Sequence, residues 1–67
     1  MSGPYEVIWE TTDGRSHIEF FPYEDHSLRH ACDFCYGLKK RNDVISGHVY
    51  DLVNKRSFAS FDKEEDL

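Results

Sequence analysis

The sequence predicts a small α+β domain in which one helix packs on one face of a four-stranded antiparallel sheet, in the order β-β-α-β-β. Two strand-rich runs bracket an Asp-Gly pair near the N-terminus, a stretch with helical periodicity follows, and a second strand-rich pair comes last. The 67 residues allow a single small domain, 1–67, with a thin core. Ten aromatic residues favour a packed core over disorder.

Residues 5–11 and 16–21 predict the first β-hairpin. Asp13-Gly14 between them is typical of a two-residue type I′ turn. This turn gives one face the pairs Trp9 with Ile18, Val7 with Phe20, and Tyr5 with Pro22. The opposite face then pairs Glu10 with His17, Ile8 with Glu19, and Glu6 with Phe21. We therefore expect the first face to be covered and the second, mixed face to be exposed.

Residues 28–41 predict the helix, because their apolar positions recur at helical spacing. Asp25 or Ser27 can cap its first turn. The apolar stripe contains, in angular order, Phe34, Leu38, Ala31, Cys35, Leu28, Cys32 and Tyr36. This stripe is expected to face the sheet.

Residues 44–52 and 57–61 predict a second hairpin, with a bulge or bend at Gly47. A two-residue turn would pair Tyr50 with Ala59, whereas a three-residue loop would pair Tyr50 with Phe58. We favour the second register because it sets two aromatic rings side by side. The acidic tail at about 62–67 is expected to fray.

The net charge of −5 disfavours indiscriminate binding to nucleic acid. Residues 1–25 hold six acids against one arginine, while residues 26–56 hold six basic residues against three aspartates. No run approaches the roughly 20 apolar residues of a membrane-spanning helix. The start of the chain lacks a secretory signal pattern, and two cysteines are too few for a disulfide framework. A cytoplasmic protein with no membrane association is therefore expected.

The outer face of the first hairpin is the strongest candidate site. There, apolar residues stand among acids in the way that interface anchors stand among steering charges, and the predicted partner-binding residues are Glu6, Ile8, Glu10, Glu19 and Phe21. This pattern predicts a non-enzymatic module that binds a protein with a basic surface. Spaced acids can also imitate phosphates, and in size and charge the chain resembles phage-encoded antagonists of nucleic-acid-handling proteins. An inhibitor of such a protein is therefore included in the prediction.

A direct nucleic-acid-binding domain is the second hypothesis. Aromatic residues on a sheet can stack on bases, and the basic residues that could contact phosphate are Lys39, Lys40, Arg41, Lys55 and Arg56. It ranks lower because Glu6, Glu10 and Glu19 would repel a phosphate backbone.

A small structural zinc module is the third hypothesis, since Cys32 and Cys35 form a Cys-x-x-Cys motif. Helical rotation places His30 about 160° from Cys32, so a closed site would have to recruit His17 or His48. Buried structural thiols fit the apolar stripe better, and neither a metal nor another cofactor is expected.

Enzymatic activity is not expected. The best catalytic pair is His17 opposite Glu10, and it has neither a nearby nucleophile nor a cleft. The two hairpins leave free strand edges, so the sequence also admits a homodimer.

Overall fold

The computed structural model describes residues 4–64, which form one antiparallel sheet and one helix. The elements are β1 (Tyr5–Thr11), β2 (Ser16–Phe21), α1 (Ser27–Lys39), β3 (Val44–Asp51) and β4 (Arg56–Asp62). The predicted α+β class and the β-β-α-β-β order are confirmed. Both strands of the first hairpin also have their predicted bounds.

The strands lie in the order β2-β1-β3-β4, so β1 and β3 are central and β2 and β4 are the edges. Helix α1 packs across β1, β2 and β3 on one face. The core between helix and sheet consists of Tyr5, Val7, Ala31, Cys35, Leu38, Val44 and Val49. Most of β4 projects beyond the helix, and its residues 56–60 are exposed.

The turn between β1 and β2 differs from the predicted one. The amide of Thr11 donates to the carbonyl of Arg15 at 2.9 Å, and the amide of Gly14 donates to the carbonyl of Thr11 at 3.0 Å. Gly14 has a positive φ of 84°, whereas Asp13 does not have a positive φ. This is a three-residue loop with glycine in the left-handed position, where a type I′ turn would need two residues with positive φ.

The longer loop shifts the pairing of β1 and β2 by one residue. Trp9 lies opposite His17, Val7 opposite Glu19, and Tyr5 opposite Phe21. The six side-chain pairs predicted for this hairpin are therefore wrong. A shift of one residue turns every side chain of β2 to the other face, which moves Ile18 and Phe20 away from the helix.

The start of α1 is built differently from the prediction. His26 occupies the N-cap in the left-handed conformation (φ 68°), and no side chain caps the helix. Ser27 is the first helical residue; its hydroxyl is fully buried and donates to the carbonyl of Pro22. The predicted apolar stripe does face the sheet, except that Tyr36 at its margin is 62% exposed.

The preferred register of the second hairpin is present from Ser46–Asp62 to Val49–Ala59, but the predicted pair of Tyr50 with Phe58 does not form. Tyr50 pairs with Ser57 and Asp51 pairs with Arg56, which leaves residues 52–55 as the loop and an irregularity at Phe58. The carboxylate of Asp51 organises this loop by accepting hydrogen bonds from the amides of Val53 and Asn54, at 2.9 and 3.1 Å, and from the Asn54 side chain. A loop held this way is longer than local turn preferences indicated.

The bulge predicted at Gly47 lies at Ile45 instead, because Glu10 pairs with Ser46 while Thr11 pairs with Val44. Gly47 has another role: the ring of Phe61 packs so closely on it that an added Cβ would lie 2.9 Å from Cε1. The tail is ordered further than predicted, since the amide of Lys63 donates to the carbonyl of Ile45 at 2.9 Å. Residues 65–67 of the predicted frayed tail lie outside the described residues.

Substitution of two adjacent phenylalanines tests the register. Phe21 is partly buried against the core and packs edge-on against Phe34, whereas Phe20 is 53% exposed. We expect Phe21→Ala to lower the free energy of unfolding by about 2–3 kcal/mol and Phe20→Ala by less than about 1 kcal/mol. Urea denaturation of both variants measures this, and equal losses or the reverse order would contradict the register.

A pair of glycine substitutions tests the packing of β4. Gly37→Ala meets no atom within 4 Å on an exposed helical surface, so it should raise the free energy of unfolding by about 0.5–1 kcal/mol. Gly47→Ala should lower it by about 1–3 kcal/mol because the new methyl group collides with Phe61. Thermal denaturation of the two variants gives the comparison, and a neutral Gly47→Ala would show that Phe61 does not lie over this glycine.

Candidate protein-binding surface

The sheet face opposite α1 is here called the open face. Within residues 4–64, no helix and no second sheet covers it. Cross-strand pairing places three rows of side chains on it. The rows are Ser16, Glu10, Ser46 and Asp62; Ile18, Ile8, His48 and Ser60; and Phe20, Glu6, Tyr50 and Ser57. The open face is therefore a surface built by all four strands.

Four large apolar or aromatic side chains lie at the centre of the open face and towards β2. Ile8 and Ile18 are direct cross-strand neighbours, and Phe20 and Tyr50 lie on either side of Glu6. Ile18 is 60% and Phe20 is 53% exposed, while Ile8 and Tyr50 are half-buried by their neighbours in the sheet. Clustered side chains of this size on a solvated face are typical of an interaction site.

The charged side chains of the open face are acidic. Glu6 and Glu10 are four residues apart on β1, a separation of about 14 Å, and Asp62 lies two strands from Glu10. None of the paired positions that define this face holds a lysine or an arginine. A partner that buries the apolar centre would thus meet negative charge around it.

The predicted partner-binding residues are divided between the two faces. Glu6, Ile8 and Glu10 lie together on the open face as predicted. Glu19 and Phe21 lie on the helix side, because the three-residue loop reverses the orientation of β2 relative to the prediction. Phe21 is not an exposed anchor at all, since it packs on Phe34 with ring centroids 5.7 Å apart.

The structure adds Ile18, Phe20 and Tyr50 to the site. The sequence did contain a signal for the first two: Thr12-Asp13-Gly14 also suits a three-residue loop with a final left-handed glycine. That alternative turn places Ile18 and Phe20 beside Ile8. Tyr50 could not be assigned to a face from the sequence, because the bulge at Ile45 changes the alternation along β3.

The pairing of His17 with Glu10, the best candidate for a catalytic pair, does not occur. His17 lies opposite Trp9 and stacks on its indole with ring centroids 5.3 Å apart, while Glu10 pairs with Ser16. The hydroxyl of Thr11 donates to the Asp13 carboxylate and lies 3.4 Å from Nε2 of His17. Because the Thr11 proton is already engaged by a carboxylate and the distance to the imidazole is long, this cluster is a hydrogen-bonded turn.

The basic residues do not form one patch. Lys39, Lys40 and Arg41 lie at the C-terminal end of α1, near the start of β3, whereas Lys55 and Arg56 follow the far end of β3. The eight residues of β3 separate the two groups by about 26 Å. Arg41 is further neutralised by a two-bond ion pair with Asp43, at 2.7 and 2.9 Å.

The Cys-x-x-Cys motif lies on the helix face that packs on the sheet. Cys35 is buried and Cys32 is half-buried, and burial raises the pKa of both thiols. Within residues 4–64, no three His, Cys, Asp or Glu side chains lie close enough together to hold a metal ion. His26 and His30 approach each other with ring centroids 6.4 Å apart, on the N-terminal turn of α1.

No helix within the described part of the chain is long and apolar enough to cross a membrane. The chain matches no protein-family model, no curated protein and no solved structure.

The two loop-organising aspartates predict an acid-sensitive fold. Hydrogen bonds from the Thr11 hydroxyl and the Arg15 amide lower the pKa of Asp13, and hydrogen bonds from Asn54 and Val53 lower the pKa of Asp51. Because folding lowers the pKa of each carboxyl, the ionised carboxylate stabilises the folded state at pH values above its ordinary pKa of 3.8. This stabilisation is lost as the pH falls through the lowered pKa values.

We therefore expect the urea concentration at the unfolding midpoint of the wild type to fall as the pH is lowered from 5 to below about 3.8. The double variant Asp13→Asn/Asp51→Asn should start with a lower midpoint at pH 5 and lose less of it on acidification. Parallel pH profiles for wild type and variant would count against these roles.

Proposed function

We propose that the protein is a non-enzymatic binding module that docks on the basic surface of another protein through its open face. The observation that carries the proposal is the cluster of Ile8, Ile18, Phe20 and Tyr50 among carboxylates and without a cation. Apolar anchors ringed by charge of one sign are the arrangement that specific, steered protein interfaces use.

The apolar and the acidic side chains of the open face make different contributions to binding. Burial of exposed Ile18 and Phe20 supplies affinity at roughly 25 cal/mol for each Å² removed from water. Glu6 and Glu10 add attraction to a basic partner over a longer range and raise the rate of encounter. Their separation of about 14 Å also suits recognition of more than one cation on that partner.

A basic surface that binds nucleic acid is the kind of target that this chemistry fits. Occupation of such a surface by the open face would exclude the nucleic acid and so inhibit its owner. The carboxylates of Glu6, Glu10 and Asp62 would take the place of phosphates on that surface, so the inhibition we propose acts through occupancy of the surface and through charge together.

Direct binding of nucleic acid has less support. The exposed aromatic ring of Phe20 lies beside Glu6, and Tyr50 lies on its other side. A base stacked on either ring would therefore bring its phosphate towards a carboxylate, and the basic residues lie at the two ends of the molecule.

Both cysteines are free thiols. Unpaired thiols are the state maintained in a reducing cytoplasm, and we propose that compartment for the protein.

A charge-reversal experiment tests the proposal. Immobilised wild type and Glu6→Lys/Glu10→Lys are exposed to nuclease-treated lysate of the source organism, and each retained protein is then purified and titrated. The matched control is Asp25→Lys/Asp33→Lys, which changes the net charge equally at exposed positions away from the open face. We expect one basic protein to bind wild type and control alike, with affinity at least roughly 10-fold weaker for the open-face variant.

Chemical-shift mapping on the ¹⁵N-labelled protein gives the second readout. The purified target should shift the amides of β1 and of Ile18 and Phe20 more than those of α1. If the two charge variants bind equally, or if the shifts cluster on α1, the open face is not the docking surface. Retention that occurs in untreated lysate but not in nuclease-treated lysate would assign the interaction to nucleic acid.

A further inference from the structure

The free edge of β2 is a second surface, distinct from the open face. Within residues 4–64 no strand pairs with its outer side, since the sheet ends there. The strand is regular over six residues and contains no proline, no lysine and no bulge against β1. Natural sheets protect free edges with such features and with charged side chains. Glu19 is the one charged residue of β2, so this edge has little protection and is suited to pairing with another strand.

The hydrogen-bonding pattern of the β1–β2 hairpin determines which backbone amides and carbonyls of β2 point outward and can bind another strand. Thr11 and Arg15 form a hydrogen-bonded pair through the Thr11 amide. Hydrogen-bonded and non-hydrogen-bonded pairs alternate along an antiparallel ladder, so His17 and Glu19 direct their amides and carbonyls to β1. Ser16, Ile18 and Phe20 therefore direct theirs outward, away from the sheet.

We propose that β2 pairs antiparallel with β2 of a second copy of this chain, around a two-fold axis through Ile18. This register places Ile18 opposite Ile18 of the second copy and Ser16 opposite Phe20 of the second copy. His17 then lies opposite Glu19 of the second copy, and the symmetry repeats that contact. Every residue from 16 to 20 has a β2 residue opposite it.

Charge and chain ends select this register from its neighbours. An axis through Glu19 sets two carboxylates directly opposite each other, which destabilises a strand pair. With the two-fold axis through His17, Phe20 would lie opposite Gly14 of the second copy, which is outside β2. With the axis through Phe20, Ile18 would lie opposite Pro22 of the second copy, which is also outside β2. The axis through Ile18 instead opposes an imidazole to a carboxylate twice and sets two exposed isoleucine side chains beside each other on the open face.

The other dimers that the fold allows are less favourable. Open-face stacking would bring Glu6, Glu10 and Asp62 of two copies together without a cation to separate them. The β4 edge is interrupted by the irregularity at Phe58. Pairing through β2 keeps both helices on one side, so the two open faces become one continuous eight-stranded surface.

The dimer is expected to be weak and salt-dependent. One short strand pair buries less than the roughly 1,200 Å² of a standard interface. Each copy carries a net charge of −5, so added salt should tighten the dimer by screening repulsion. Docking on a basic protein should instead weaken with salt, and this difference separates the dimer from the proposed function.

Proline substitutions on the two edges provide the test. Ile18→Pro removes an outward amide that the sheet does not use, a position where an edge strand tolerates proline. Ser60→Pro is the matched control, because the Lys63–Ile45 bond and the same alternation direct the Ser60 amide outward on β4. Sedimentation equilibrium over roughly 10 µM to 1 mM, at low and high salt, gives the mass of each protein.

We expect the mass of the wild type and Ser60→Pro to rise above the monomer's 7.9 kDa with concentration, and Ile18→Pro to remain monomeric. Far-UV circular dichroism checks that each variant is folded. Glu19→Lys, which needs no backbone change, should raise the dimer dissociation constant by roughly 10-fold. In a mixed ¹³C/¹²C sample, an intermolecular NOE between the Hα atoms of His17 and Glu19 should identify the register.

A wild type that stays monomeric at all concentrations overturns the proposal. So does loss of the dimer in Ser60→Pro with its retention in Ile18→Pro, which would assign the contact to β4. An unchanged dissociation constant in Glu19→Lys would overturn the register.

Discussion

The loop at Thr12-Asp13-Gly14 controls which side chains this protein presents to solvent. Gly14 adopts a positive φ of 84° that lets the chain return after three residues, and Asp13 holds the loop by accepting hydrogen bonds from Thr11 and Arg15. Side chains alternate along a strand, so this loop length decides whether Phe21 or Phe20 points at the helix. Phe21 packs on Phe34 as a result, and Ile18 and Phe20 are left on the open face. A loop one residue shorter would give the same fold with a different surface.

The single helix of this protein packs on three of the four strands and leaves most of β4 uncovered. Helix α1 packs over β1, β2 and β3, and the fully buried side chains of the sheet, Val7, Val44 and Val49, lie under it. The opposite face has no covering layer within residues 4–64, so its apolar side chains depend on one another and on any molecule that binds there. A chain of 67 residues has little core to spare, and covering this face would add stability to the protein as well as affinity for a partner.

The charges are sorted by position in the fold. Carboxylates lie beside the apolar cluster of the open face. Of the eight lysines and arginines, three lie at the C-terminal end of α1, two lie where the β3–β4 loop enters β4, and the other three are Arg15, Arg29 and Lys63. A basic partner would therefore be attracted to the open face, and two open faces would repel each other. The proposed β2 pairing avoids that repulsion because it joins copies edge to edge. Such a pair would present two docking surfaces on one side, which increases avidity for a partner with repeated or extended basic sites.

The sequence alone determined the α+β class, the order of the elements, the bounds of the first two strands and the apolar face of α1. These follow from hydrophobic periodicity and strand propensity, which are properties of short segments. It also identified Glu6, Ile8 and Glu10 as neighbours, because residues two apart on one strand share a face whatever the partner strand does.

Only the tertiary structure decided which residues of β2 and β3 lie beside Glu6, Ile8 and Glu10 on the open face. Loop length and bulges shift pairing by one residue at little local cost, and the choice depends on how well Phe21 packs beneath Phe34 and how Asp51 closes the second loop. Those energies arise between segments that are distant along the chain. The replacement of Glu19 and Phe21 by Ile18, Phe20 and Tyr50 in the candidate site has this physical origin.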